Sequence, residues 1–240
     1  MLVTLRSFIY MVFLSLTTLV IAPALYLLKW VLPFPMLAKL GKLWGRLNLE
    51  AVGVICGLKY RIHGWDKLPR ENCIVLSKHQ STWETIALRG LLPATNTWVI
   101  KRELLWIPFF GWGMAALDPI ALDRKAGRQA IKQLLQEGRQ SLAAGRWVVI
   151  FPEGTRTAPG EHIKYNLGGA MLGEKTGYPI LPIAHNAGVF WKRRGLQKYP
   201  GVIDLVIGDP IPTQGLKAGE INRRVEEWIE GTVASLPQAR

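Results

Sequence analysis

The sequence predicts an α/β fold, a mixed and largely parallel sheet flanked by helices, carrying an N-terminal membrane-binding helical segment. Three observations support this. Beyond residue 60, short aliphatic runs alternate with amphipathic stretches, the signature of strand–helix–strand units. Ser7 to Leu28 contains no charged residue and is just long enough for a bilayer core, which needs about 20 apolar residues. No internal repeat or low-complexity linker interrupts the 240 residues, a length that suits one sizeable domain.

The first element runs from Ser7 to Leu28, with Arg6 before it, Lys29-Trp30 after it and Pro23 near its end. Its apolar run exceeds the 7–15 residues usual in a signal peptide, so it reads as an anchor rather than a cleaved leader. Phe34 to Tyr60 mixes apolar residues with Lys39, Lys42 and Arg46, as expected of an amphipathic helix lying in the interface. The excess of Lys and Arg that follows places the remainder on the cytoplasmic side of a membrane. Residues 1–58 form the anchoring segment and residues 59–240 the catalytic domain in this reading.

In that domain, Cys73 to Ser77 is a short strand. Ser81 to Leu92 is a helix capped by Ser81 or Thr82. Thr97 to Ile100 and Pro119 to Leu122 are strands, and Arg124 to Ala144 is a helix ending at Gly145. Trp147 to Phe151 is a buried strand entering a Pro/Gly/Thr loop. Leu167 to Thr176 is helical and stops at Gly177; Pro179 to Ala184 and Val202 to Ile207 are strands. Ala218 to Ala234 closes the chain as an amphipathic helix.

Composition narrows the partners. Hydrophobic residues at 49% and charged residues at 20% exclude wholesale disorder. Thirty Lys+Arg against 17 Asp+Glu give +13, so partners are anionic. Ten Trp and a positive mean hydropathy favour a membrane surface over nucleic acid. A nucleic-acid binder would need a recognition helix, RNP-type aromatics or a basic stripe, none of which is found. Cys56 and Cys73 make neither a disulfide framework nor a CxxC zinc pair, which suits a reduced compartment.

The chemistry centres on Ser77-Lys-His79-Gln-Ser-Thr-Trp-Glu84. His79 falls just past a strand end, where α/β folds gather ligands. A carboxylate five residues on, in the first turn of the next helix, can fix the imidazole tautomer and leave the other nitrogen as a general base. The competing reading is a structural His beside a Glu favoured by the helix dipole. Phe151-Pro-Glu-Gly-Thr-Arg156 follows the strongest buried strand. Arg156 offers a planar fork for phosphate, and Gly154 lets backbone N–H groups approach an anion. An ordinary turn with a surface Arg is the alternative.

Together these blocks resemble the lysophosphatidic acid acyltransferase family, the glycerolipid acyltransferases of the PlsC type. Lys101-Arg-Glu-Leu-Leu-Trp-Ile-Pro-Phe-Phe-Gly111 resembles its second block and Leu181-Pro-Ile-Ala184 its fourth, so four ordered blocks span roughly residues 73–185. The family usually has Asp where this chain has Glu84, one methylene longer. The resemblance implies the glycerolipid acyltransferase fold and transfer of a fatty acyl group from a thioester, acyl-CoA or acyl carrier protein, to the sn-2 hydroxyl of 1-acylglycerol 3-phosphate. It implies His79 as base and Glu84 as its orienting acid. Arg156 and Lys101 would hold the phosphate with Arg102 as helper, and Glu153, Gly154 and Thr155 would shape the acceptor pocket. Loop N–H groups near Gly154 are candidate oxyanion donors. No cofactor or metal is expected. Another lysophospholipid or a lyso-aminolipid is the alternative acceptor. Trp106, Phe109, Phe110 and Trp112 line an acyl groove, contact lipid or pack in the core. Trp191-Lys-Arg-Arg194 is a basic cluster for membrane or carrier contact, or a solvated loop. His63, His162 and His185 read as structural or surface residues.

Overall fold

The structure, a computed structural model, describes residues 1–238. Two long helices come first, α1 (Leu2–Leu28) and α2 (Phe34–Cys56). Then follow β1 (Leu58–His63), β2 (Ile74–Ser77), α3 (Trp83–Leu91), β3 (Asn96–Lys101), α4 (Phe110–Ala115) and β4 (Ile120–Leu122). The rest is α5 (Arg128–Ala143), β5 (Trp147–Ile150), α6 (Gly168–Thr176), β6 (Ile180–His185), α7 (Ala187–Phe190), β7 (Gly201–Ile207) and α8 (Ala218–Ser235).

The seven strands form one sheet in the order β1-β7-β6-β2-β5-β3-β4. All neighbours run parallel except β6 and β7, so the sheet is mixed and largely parallel, as the alternation of elements predicted. Central strands β2, β5 and β6 are buried along their whole length, which is why they read as continuous aliphatic runs rather than alternating ones. One face carries α1, α2, α3 and α7 over a core that includes Leu49, Val75, Trp83 and Val149. The other carries α5, α6 and α8 over Leu76, Leu134, Ile150 and Ile229. With β2 central and its parallel neighbours beside it, the loops after β6, β2, β5, β3 and β4 share one edge of the sheet.

Two boundaries differ from the sequence expectation. The helix expected to reach Tyr60 ends at Cys56, because Gly57 adopts φ +68° and caps it. Leu58 to His63 is an edge strand pairing Lys59 with Val202; its in–out alternation of Leu58, Tyr60 and Ile62 was merged into the preceding apolar run. The helix expected from Arg124 begins at Arg128. Asp123 instead caps a short 3-10 turn by accepting the Lys125 N–H at 2.9 Å, and Gly127 turns the chain at φ +52°.

The two N-terminal helices are not a detached appendage. Thr17 donates to Asn48 Oδ1 between α1 and α2. Near the start of α1, Ser7 Oγ accepts the Lys198 N–H at 2.8 Å; near its end, Tyr26 meets Trp112 at 6.1 Å. The apolar helix thus follows the domain along its length, with an outer face of exposed residues such as Phe8, Leu16, Val20 and Leu27.

Helices α2 and α3 cross at Gly45 and Gly90. A Cβ on Gly45 would stand 2.6 Å from the Gly90 backbone nitrogen, and one on Gly90 would stand 2.7 Å from that of Arg46. Backbone faces backbone here, so no side chain can yield. We expect Gly45→Ala to destabilise the protein by about 1–3 kcal/mol, the range for overpacking, whereas Gly231→Ala on α8, which meets open space, leaves stability unchanged or raised. Urea unfolding of both variants in the same detergent checks this.

Candidate active site

Glu84 sits in the first turn of α3 and is wholly buried. Its Oε1 accepts three hydrogen bonds, from His79 Nδ1 at 2.8 Å, Gln80 N at 2.9 Å and Ser81 N at 2.7 Å. From the first turn of the helix the carboxylate reaches back to the N–H groups of the loop that precedes it. Ser81 Oγ accepts the Trp83 N–H from two residues before the helix, whereas Thr82, at the cap position, makes no side-chain capping bond. Burial on its own would raise the Glu84 carboxyl; the ring N–H groups of His185 and His79 beside it outweigh that and hold it below the usual carboxylate range.

The Glu84 contact leaves His79 Nε2 as the ring's free nitrogen. His79 stacks on Phe151 with centroids 4.0 Å apart and lines a cavity of about 290 Å³. His185, the last residue of β6, lies directly behind. Its Nδ1 accepts the Ala187 N–H, so Nε2 bears the proton and donates to Lys78 O at 2.9 Å. Its burial lowers its basicity. This neutral imidazole packs 3.9 Å from Glu84 Oε2, a partner that spacing alone could not reveal.

Lys101, Arg124 and Arg156 line the same cavity. Three strand ends deliver them: Lys101 ends β3, Arg124 follows β4 and Arg156 follows β5. Lys101 ion-pairs with Glu103 at 3.0 Å. Arg124 donates to the Gly154 carbonyl and Arg193 to the Arg156 carbonyl, so two further cations brace the Arg156 loop. Arg124 was hidden in sequence as the apparent start of a helix. Toward the inner end the lining turns apolar, with Leu14 of α1, Ile86, Leu104, Phe110 and Met114. Arg89 stands among them, bonded to Asn96 Oδ1 at 2.6 Å and lying over the Trp98 ring.

Other expected residues fall elsewhere. Arg102 is exposed and lies outside the lining. Glu153, Gly154 and Thr155 do not line the cavity either. The Gly154 N–H closes a turn onto Phe151 O at 3.0 Å, so it is not an available oxyanion donor. Glu153 is buried behind His79, where its Oε1 accepts the His79 backbone N–H at 3.0 Å and lies 3.4 Å from Lys78 Nζ. Burial pushes its carboxyl up to about 7, with Lys78 pulling the other way. Lys78 in turn reaches Glu230 of α8 at 2.7 Å, and Tyr165 donates to the same Glu230 oxygen at 2.6 Å. Of the aromatic run, Phe110 lines the cavity while Trp106, Phe109 and Trp112 are exposed. His63 pairs with Asp204 and His162 with Glu226, both at the surface.

The chain is similar to known acyltransferases. A family model described as acyltransferase matches residues 59–186. The 1-acyl-sn-glycerol-3-phosphate acyltransferase of Pseudomonas aeruginosa is 44% identical over 196 residues, covering 80% of this chain and 76% of that protein. The protein of the same name from Cocos nucifera is 25% identical over 217 residues, covering 90% of this chain and 69% of its own. The crystal structure of the 1-acyl-sn-glycerophosphate acyltransferase PlsC from Thermotoga maritima superposes with a TM-score of 0.78 at 24% identity, covering 100% of this chain and 96% of that one, and shows the same fold.

Buried Lys78 holds half-buried Glu230 at 2.7 Å and Glu153 at 3.4 Å, so losing Glu230 removes the nearer of the two carboxylates that compensate a buried charge. Glu230→Ala should therefore destabilise by about 3 kcal/mol, whereas Glu230→Gln, which retains an acceptor oxygen, should cost roughly half as much. Thermal unfolding of both variants measures the difference, and equal, negligible losses would show that α8 is not braced against the His79 loop.

Proposed function

The chain belongs to the acyltransferase family that its residues 59–186 match, and on that premise we propose that it moves a fatty acyl group from a thioester to the sn-2 hydroxyl of 1-acylglycerol 3-phosphate, giving phosphatidic acid. The observation that carries this reading is one geometry. An imidazole nitrogen, oriented from behind by a buried carboxylate, faces an apolar cavity whose rim holds Lys101, Arg124 and Arg156. A phosphate-bearing lipid needs that combination of cationic rim and apolar depth. The names of the relatives from Pseudomonas aeruginosa and Cocos nucifera support the same acceptor.

In this mechanism His79 Nε2 accepts the acceptor hydroxyl proton as that oxygen attacks the thioester carbonyl carbon. Glu84 stabilises the imidazolium that forms. Collapse of the tetrahedral intermediate breaks the C–S bond, and the departing thiolate recovers the proton from His79. The donor is acyl-CoA or acyl-acyl carrier protein, both anionic and both suited to a chain of +13. The protein works at the cytoplasmic face of a membrane, with α1 and α2 as its anchoring segment; α1, which carries no charge from Ser7 to Leu28 and is largely exposed, supports the membrane contact.

Two tests follow from the dyad. His79→Ala should remove nearly all transfer, because general base catalysis contributes about 10²–10⁴-fold. His185 cannot substitute, being wholly buried with both ring nitrogens engaged. Glu84→Gln keeps an oxygen for the three donors and loses only the charge, so kcat should fall strongly while the fold persists. Steady-state turnover with folded, membrane-bound variants decides; wild-type kcat in Glu84→Gln would reduce Glu84 to a helix-start residue.

A third test concerns phosphate. Arg156→Lys loses a paired contact that Lys cannot reproduce and should raise KM for lysophosphatidate far more than for the donor. Arg124→Ala should act in the same direction. Monoacylglycerol should be a poor acceptor and indifferent to either change. Equal losses on both acceptors would reassign these cations to the donor or to the fold.

A further inference from the structure

Among the aliphatic side chains at the inner end of the reaction cavity stands Arg89 of α3, which is 5% exposed. Its hydrogen bonds run from Nη1 alone, to Asn96 Oδ1 at 2.6 Å and to the Asn96 carbonyl at 3.5 Å. The same Oδ1 also accepts the Trp98 Nε1–H at 2.7 Å, so it has no further capacity. Among the described residues, nothing accepts from Arg89 Nε or Nη2 and no carboxylate pairs with the guanidinium. Burial without such a partner lowers its pKa to about 9.

A second donor is left over around the same cavity. Trp44 lines it, and its indole N–H is buried without an acceptor. Two threonines offer the opposite group. Thr18 Oγ1 donates to the Leu14 carbonyl and Thr85 Oγ1 to the Thr82 carbonyl, both at 2.7 Å. Both residues line the cavity, and their oxygens retain only lone pairs to offer. A hydrocarbon chain answers none of these groups, and a buried donor without a partner is costly, most of all a charged one. A hydroxyl suits both kinds, since its oxygen accepts while its hydrogen donates. α3 rises about 1.5 Å per residue, so Arg89 stands roughly 7–8 Å along the helix from Glu84, several methylenes from the reacting carbon. A smaller void of about 50 Å³ also borders Thr18, Trp44 and Arg89, so there is space beyond the guanidinium as well as before it.

We propose that Arg89, with Trp44, Thr18 and Thr85, forms a polar subsite for an oxygen function, a hydroxyl or oxo group, carried part-way along a fatty chain. A chain oxygenated at that depth is then preferred over one oxygenated elsewhere. Its identity as the donor's or the acceptor's acyl chain rests on the proposed reaction; the subsite itself does not.

Positional isomers of hydroxypalmitoyl-CoA are compared with palmitoyl-CoA as donors, and the corresponding 1-hydroxypalmitoyl isomers with 1-palmitoylglycerol 3-phosphate as acceptors. One arm should show a single preferred position, with kcat/KM about tenfold above the other isomers, the scale of one hydrogen bond to a charged group. The arm that shows it identifies the chain. An equal penalty at every position in both arms overturns the proposal. Arg89→Met should flatten the preference, read as the ratio to the plain chain in the same preparation, so that a general loss of activity cancels. A preference that survives this change overturns the assignment. Should Arg89→Met fail to fold, Trp44→Phe carries the test and should lower the same ratio severalfold, an unchanged ratio again overturning the subsite. If the unaltered chain turns over no plain substrate, the functional reading falls and free fatty acids decide the subsite. One hydroxypalmitate isomer should then raise Tm above palmitate, and equal shifts for all isomers overturn the proposal.

Discussion

The carboxylate of Glu84 is the constraint on which the site depends. A single buried oxygen accepts from His79 Nδ1 and from the N–H groups of Gln80 and Ser81, so it fixes an imidazole, a loop and a helix start together. Such a carboxylate is ionised because the helix start and two imidazoles compensate its burial. The extra methylene relative to Asp is accommodated by this arrangement. The chain folds back over Glu84 from Gln80 onward, so the longer side chain still meets His79 at ordinary hydrogen-bond length.

A second layer holds the loop from the opposite side. Glu153 takes the His79 backbone N–H, Lys78 bridges Glu153 to Glu230, and Tyr165 closes the group onto the same Glu230 oxygen. The terminal helix α8 therefore reaches the most sensitive loop of the molecule through one ion pair, between buried Lys78 and half-buried Glu230. Sheet order makes this economical. β2 lies between β5 and β6, so the residues following each strand converge on His79 without any long excursion of the chain.

Sequence reading found what is local and missed what is not. His79 and Glu84 are five residues apart and bracket a strand end and a helix start, so their pairing could be argued from position alone. Arg156 was visible because its loop follows the strongest buried strand, and Lys101 only through the resemblance of residues 101–111 to a family block. Glu230, by contrast, is 152 residues from Lys78, and nothing on an amphipathic helix distinguishes one Glu from its neighbours. Arg124 was absorbed into a helix because the 3-10 turn capped by Asp123 has the same composition as a helix start. Strand β1 disappeared into α2 since only the φ of Gly57 separates two apolar stretches. Glu153 was placed in the pocket because its motif lies beside Arg156, yet adjacent residues on a turn point in different directions.

Net charge was the broadest signal, and the structure redistributes it. Three of the cations in the total, Lys78, Arg89 and Lys198, are buried and held by internal partners, so +13 overstates what an anionic partner meets. The rest is arranged by depth. Behind His79 stand the carboxylates of Glu84, Glu153 and Glu230, partly balanced by Lys78. In front stand Lys101, Arg124 and Arg156. For the proposed reaction this separation has two effects of opposite sign at opposite ends of one ring. The front draws in a phosphate and would repel a proton, whereas the rear favours a positive imidazole at the moment the hydroxyl is deprotonated. A base placed among cations alone would be held neutral, and one placed among carboxylates alone would reject its anionic acceptor. Setting the imidazole at the boundary allows both requirements to be met by one side chain.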